Sequence, residues 1–125
     1  MFKLHPLPRT LSAAERDLDS ADSKVRLSAL RDLARFPEEA RAGELAAEKL
    51  QDADAEVRAQ AALILADLGA RAYVPEVLRL VGDAHLRVRQ MALVSLGELA
   101  SITVTLERAD RGKVEQFLAV PAGAE

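Results

Sequence analysis

The chain contains no cysteine and no tryptophan, and only 3% of its 125 residues are aromatic. Without cysteine there are no disulfides, no thiolate nucleophile and no zinc site of the Cys type, and the usage fits a reducing compartment. With so few rings, a core has to be built from Leu, Val and Ala. Histidine occurs only at His5 and His85. Neither has a second histidine within a helical turn, so both are read as surface residues rather than metal ligands or acid–base groups. The scattered glycines form no phosphate-cradling loop. Asp52 and Asp54 stand close together, but the oxygen ligands of a cation loop are missing around them. No metal, no cofactor and no enzymatic activity is expected. No stretch approaches the ~20 apolar residues of a membrane span. The segment from Met1 to Pro8 has no apolar run of the signal-peptide kind. The expectation is a cytoplasmic protein that does not enter a membrane. A positive excess is missing too: the formal charge is -3, the pI is near 5.5, and no basic block occurs. That balance argues against binding nucleic-acid phosphates.

What the chain does have is repetition. Asp22-Ser23-Lys24-Val25-Arg26, Asp54-Ala55-Glu56-Val57-Arg58 and His85-Leu86-Arg87-Val88-Arg89 carry one pattern, with the Val-Arg pairs 32 and then 31 residues apart. Apolar residues follow each Val in step: Ala29, Ala61 and Ala92 four residues on, and Leu30, Ala62 and Leu93 five on. Leu33, Leu65 and Leu96 come eight on, and Phe36, Leu68 and Leu99 eleven on. Offsets of 0, 4, 8 and 11 trace one face of an α-helix. The residues before each Val-Arg are helical in period as well. Each repeat is therefore a shorter helix, a tight turn and a longer helix. The spans are 11–19 with 23–36, 40–51 with 55–68, and 75–82 with 86–100.

Local chemistry sets the breaks. Asp22 and Asp54 stand where a carboxylate caps the free N–H groups of the second helix. Pro75 opens a helix at the position where its missing N–H costs nothing. Gly69 follows Leu68 as a left-handed cap, and Pro37 ends the first long helix. His85 replaces the capping Asp in the third copy, with Asp83 as a substitute cap.

The run from Val74-Pro75 through Val77, Leu78, Leu80, Asp83, Val88-Arg89, Ala92 and Leu96-Gly97 resembles HEAT repeats, in particular the bacterial HEAT-like class named after phycobilin lyases. The middle copy follows the same pattern from Asp52 to Gly69, and the first is looser, with Phe36-Pro37 in place of Leu-Gly. The resemblance covers roughly residues 11–100. It implies an all-α fold, a right-handed α-solenoid of about three helical hairpins whose second helices line a concave face. It also implies scaffolding and protein binding as the usual activity. The organisation expected is an N-terminal arm at 1–10, repeats at 11–36, 40–69 and 73–100, and a C-terminal segment at 101–125. Within that segment Ser101–Glu107 alternates apolar and polar with β-branched residues, which favours a strand. Residues 114–120 read as a helix or as a second strand of a hairpin, the helix being favoured.

Arg26, Arg58 and Arg89 recur at one position and should stack in a row. They are expected to pair with Asp22, Asp52, Asp54 or Asp83 of their own or a neighbouring turn; the alternative is an anion-binding ladder. Offsets 3, 6 and 10 from each Val point away from the hairpin core. Among them Arg31, Arg35, Gln60, Leu63, Asp67, Met91, Val94 and Glu98 are the candidate partner-binding residues. Leu63, Met91 and Val94 either form an apolar binding patch or are covered by adjacent helices or by the C-terminal segment. The leading function is a protein-binding scaffold whose groove takes another protein or a peptide segment. A bilin-lyase-like enzyme or enzyme subunit is the alternative, and a nucleic-acid binder is less favoured still. Self-association through residues 101–125 is compatible with the scaffold.

Overall fold

The computed structural model describes residues 7–107, and among these every regular element is helical. Helix α1 (Leu11–Asp17) pairs with α2 (Ser23–Asp32), α3 (Ala40–Glu48) with α4 (Ala55–Asp67), and α5 (Val74–Arg79) with α6 (Leu86–Glu107). Single 3-10 turns extend four of the joints, at Leu33–Arg35, Lys49–Gln51, Arg71–Tyr73 and Leu80–Gly82. The three hairpins stack so that α4 lies between α2 and α6, the quasi-one-dimensional order of a solenoid. The expected hairpins are all present; α2, α3 and α5 finish in 3-10 turns where a longer helix was expected, and α6 runs seven residues further than expected.

The expected caps are in place. The Asp22 carboxylate accepts from Lys24 N–H at 2.9 Å, and that of Asp54 accepts from Glu56 and Val57 N–H at 2.8 and 3.2 Å. The Thr10 hydroxyl accepts from Ala13 N–H and starts α1. Gly69 has φ +64°. Its N–H donates to Ala66 O and that of Ala70 to Leu65 O, both at 2.9 Å. This is a Schellman close, which needs a residue free to take positive φ.

Two expectations are corrected. Residues 101–107 are not a strand: α6 continues through them to Glu107. β-propensity is a weak preference, and extending a formed helix adds one hydrogen bond for each residue fixed, without a new nucleus. Asp83 is not the cap of α6. Its carboxylate accepts from His85 N–H at 2.9 Å and so shapes the turn before the helix. Asp52 does the same for Asp54 N–H, and the Ser20 hydroxyl for Asp22 N–H. Residues 114–120 lie outside the described residues.

The core is aliphatic and centred on α4, whose Val57, Ala59, Ala61, Ala62, Ile64, Leu65 and Ala66 are all buried. Alanines let α4 approach both neighbours closely. Ser95 is fully buried on α6, and its hydroxyl donates to Ala62 O of α4 at 2.6 Å. That bond fixes the orientation of the repeat. Offset 7 from the Val faces the preceding hairpin, and offset 5, the position of Ala62, faces the following one.

Candidate functional site

The candidate residues lie on the second helices. On α4, Glu56, Gln60, Leu63 and Asp67 have the spacing i, i+4, i+7, i+11, which makes one stripe. Arg87, Met91, Val94 and Glu98 match them on α6, as do Lys24, Ser28 and Arg31 on α2 with Arg35 in the 3-10 turn that follows it. The stripe therefore begins one turn earlier than offset 3. The signal that could have found this was in the sequence: Glu56 and Arg87 hold the same offset in successive repeats with opposite charge. Arg87 joins Glu56 by two bonds of 2.8 and 3.2 Å, and Gln60 donates to the same carboxylate. The Arg87 guanidinium above all holds the Glu56 carboxyl below the usual range. Burial opposes this, and the nearby charge of Arg31 adds to it.

The candidates do not all stand open. Arg31 is exposed and makes no hydrogen bond or ion pair among the described residues. Arg35 is exposed but engaged: it donates to the carbonyl of Arg9, lies 3.7 Å from Asp32, and sits 5.2 Å over the Phe36 ring. Gln60 and Met91 are half-buried, because offset 3 leans toward the preceding hairpin, and Met91 packs against the core. Leu63 is half-buried. Asp67 and Glu98 are exposed, and Val94 keeps 44% of its surface. The open part of the stripe is thus a cation at the first repeat, an apolar centre at Leu63 and Val94, and two carboxylates at one rim.

Arg9, absent from the sequence-derived candidates, seals the outer edge of the first repeat. It binds Asp17 of α1 at 2.9 Å and both Ser28 and Asp32 of α2 at 2.8 and 2.7 Å. These bonds place the arm against the first hairpin. On the opposite face of the stack, Arg41 of α3 reaches Glu15 of α1 at 3.1 Å and Glu44 at 3.0 Å.

Along the turn edge the recurrent arginines are structural. Arg26 makes two bonds of 2.9 Å to Asp52. Arg58 makes bonds of 2.9 and 3.1 Å to Asp83. Each also donates to backbone carbonyls of its own turn, Ser20 and Ala21 for Arg26, Asp52 and Ala53 for Arg58. Arg26 and Arg58 therefore each tie their own turn to the carboxylate of the next repeat, and Arg89 donates to Asp83 O of its own turn. Burial raises the Asp52 pKa, but the Arg26 bond and the Asp54 amide outweigh it and hold the group low. The Asp83 carboxyl is held low chiefly by Arg58. With Arg26 and Arg58 occupied by carboxylates, the three arginines do not form a continuous anion-binding ladder.

A shallow cavity of about 270 Å³ lies between the start of α3 and the loop after α4, lined by Pro37, Glu39, Gly43, Glu44, Leu68 and Tyr73 among others. It falls below the ~300–1,000 Å³ usual for small-molecule sites. Gly43 lets the two elements approach closely there: a Cβ would stand 3.3 Å from the Tyr73 ring, which would have to give by a few tenths of an ångström. Among the described residues no cluster of His, Asp or Glu is arranged to hold a metal ion, and no helix is long and apolar enough to cross a membrane.

Residues 43–109 match the family described as HEAT repeats. No curated protein matches the chain.

Proposed function

The chain belongs to the HEAT-repeat family, whose members commonly act as protein-interaction scaffolds, and from that premise we propose that it binds another protein along the stripe of α2, α4 and α6. The observation that carries this reading is the contrast between faces. On the α1–α3 face Arg41 is paired with Glu15 and Glu44, whereas on the stripe exposed Arg31 makes no ion pair among the described residues and stands in line with apolar Leu63 and Val94. Apolar surface flanked by open charge is the make-up of a recognition surface.

The occupant that fits is an amphipathic segment, helical or extended, with an apolar centre. A carboxylate at one end would meet Arg31, and a basic residue at the other would meet Asp67 and Glu98. The apolar contacts provide burial, and the charges set direction. Arg35 and Met91 support the surface, Arg35 by holding the arm and Met91 by packing on the core.

The test is capture from the native cell extract with the full chain and with the double variant Arg31→Glu, Val94→Asp. Both positions are exposed, so the helical signal and melting temperature should be kept. A partner captured by the wild type and lost by the variant supports the reading. Equal capture by both moves the site off this stripe.

A further inference from the structure

The connections between repeats lie at the other ends of the second helices from the turns that carry Arg26 and Arg58. There the cavity of about 270 Å³ joins two connections: Pro37, Glu39, Gly43 and Glu44 stand before and at the start of α3, and Leu68 and Tyr73 bound the loop that follows α4. Pro37, Leu68 and the Tyr73 ring make its apolar lining, with Gly43 letting the ring come close.

The polar lining is anionic. Among the described residues it carries two carboxylates, Glu39 and Glu44, and no cation. Glu44 Oε2 accepts from Arg41 at 3.0 Å, and its other oxygen takes no hydrogen bond among the described residues. Glu39 precedes α3, but its carboxylate makes no capping bond, and among the described residues no hydrogen bond or ion pair engages it. Elsewhere, carboxylates at contacts between elements are met by arginine: Asp32 by Arg9, Asp52 by Arg26, Glu56 by Arg87 and Asp83 by Arg58.

We propose that this cavity takes one arginine side chain of a second protein. The aliphatic stem lies on Pro37 and Leu68, and the guanidinium comes between Glu39, Glu44 and the Tyr73 ring. Long cationic side chains bury their stems on apolar surface while the charged head keeps polar company. A guanidinium carries five N–H donors in a planar fork, so it can serve two carboxylates and lie against an aromatic ring at once. A lysine ammonium is compact and strongly hydrated, and gains less there. The cavity is smaller than the sites usual for free small molecules, which points to a side chain held in place by the protein that carries it. None of its lining residues belongs to the stripe of the second helices, so this contact is additional to the one proposed there.

The chain has one tyrosine and no tryptophan, so the tyrosine ring signals report this cavity alone. Short peptides of one sequence, with arginine, lysine or citrulline at the centre, are titrated into the full chain at fixed ionic strength and followed by NMR at the Tyr73 ring and the Gly43 amide. The arginine peptide should give saturable shifts at both. The citrulline peptide, which keeps the shape and loses the charge, should give none. Equal saturation by the citrulline or the lysine peptide would overturn the proposal, as would no saturable shift with arginine. Glu39→Gln should weaken arginine binding about two- to fivefold, the scale of an exposed ion pair. Its melting temperature should be unchanged, since Glu39 is exposed and makes no capping bond. Unchanged binding by that variant would overturn the site. The stripe variant Arg31→Glu, Val94→Asp should bind the arginine peptide as the wild type does. Loss of binding there would put the peptide on the stripe and overturn the cavity as its seat.

Discussion

Arg58 of the second hairpin and Asp83 of the third are joined by two bonds of 2.9 and 3.1 Å, while the same guanidinium holds the carbonyls of its own turn. One side chain thereby fixes both the shape of a turn and the spacing of two repeats. Both side chains are largely covered, at 15 and 10% exposure, so the pair is not a screened surface contact of the kind worth little.

Arg58→Ala should accordingly destabilise the stack by about 1.5–3 kcal/mol, the range for hydrogen bonds to charged groups. Asp83 would be left with its amide donor at His85 and no cation. Chemical denaturation of wild type and variant measures this. Arg31→Ala, on the open stripe, should shift the midpoint by less than about 0.5 kcal/mol.

Acid should weaken the stack through the same pairs. The carboxyls of Asp52 and Asp83 are held below the usual range, Asp52 against the opposing effect of burial. A group with a lowered folded pKa contributes stability above its unfolded value, about 3.9 for Asp, and loses it as pH falls through the folded value. The melting temperature should therefore change little for this reason between pH 7 and 5 and fall below about pH 4. The double variant Asp52→Asn, Asp83→Asn should begin less stable and show a shallower acid slope. A wild-type slope unchanged in the variant would place the acid sensitivity elsewhere.

The helix faces were legible because a repeated offset survives any uncertainty about ends. Ala29, Leu30, Leu33, Val57, Ala61, Ala62, Leu65, Val88, Ala92 and Leu99 are buried where the periodicity put them. Val25, Phe36, Leu68 and Leu96 are half-buried, since they lie near helix ends or on hairpins with one neighbour. Leu93 is exposed because burial at that offset is supplied by the next repeat and not by its own helix. Ser101–Glu107 misled because alternation reports a side-chain pattern, while the helix through those residues is carried by backbone already in register. The site was legible as a stripe but not in its occupancy. Nothing in the sequence marks Arg35 as held by Arg9, because that contact depends on packing across elements, whereas the Arg87–Glu56 pair was marked by a shared offset and opposite charge.

Core packing gives a sharper expectation. Leu65 is fully buried on the central helix, between two hairpins. Leu65→Ala should cost about 2–5 kcal/mol by removing burial and leaving a cavity. That is a large share of the ~5–15 kcal/mol by which domains are usually stable. A thermal melt unchanged by the substitution would contradict the packing.

The caps make a paired prediction. Asp54→Ala removes the acceptor of two helix N–H groups and should cost about 1 kcal/mol. His85→Asp installs that acceptor at the start of α6, while Arg58 Nη2, which now lies 3.1 Å from His85 Nδ1, keeps a partner. The second change should raise the melting temperature. A fall would show that the imidazole makes a contact a carboxylate cannot replace.

The central claim, that a protein partner lies along the stripe of the second helices, is tested most directly by position-specific cross-linking. A photoreactive residue is placed in the full chain at Leu63, at Val94, or at exposed Glu48 of α3, and each protein is irradiated in native extract. The account predicts adducts with one and the same protein from positions 63 and 94, competed by unlabelled wild-type chain, and none of that protein from position 48. Adducts to it from position 48 with positions 63 and 94 silent would contradict the claim.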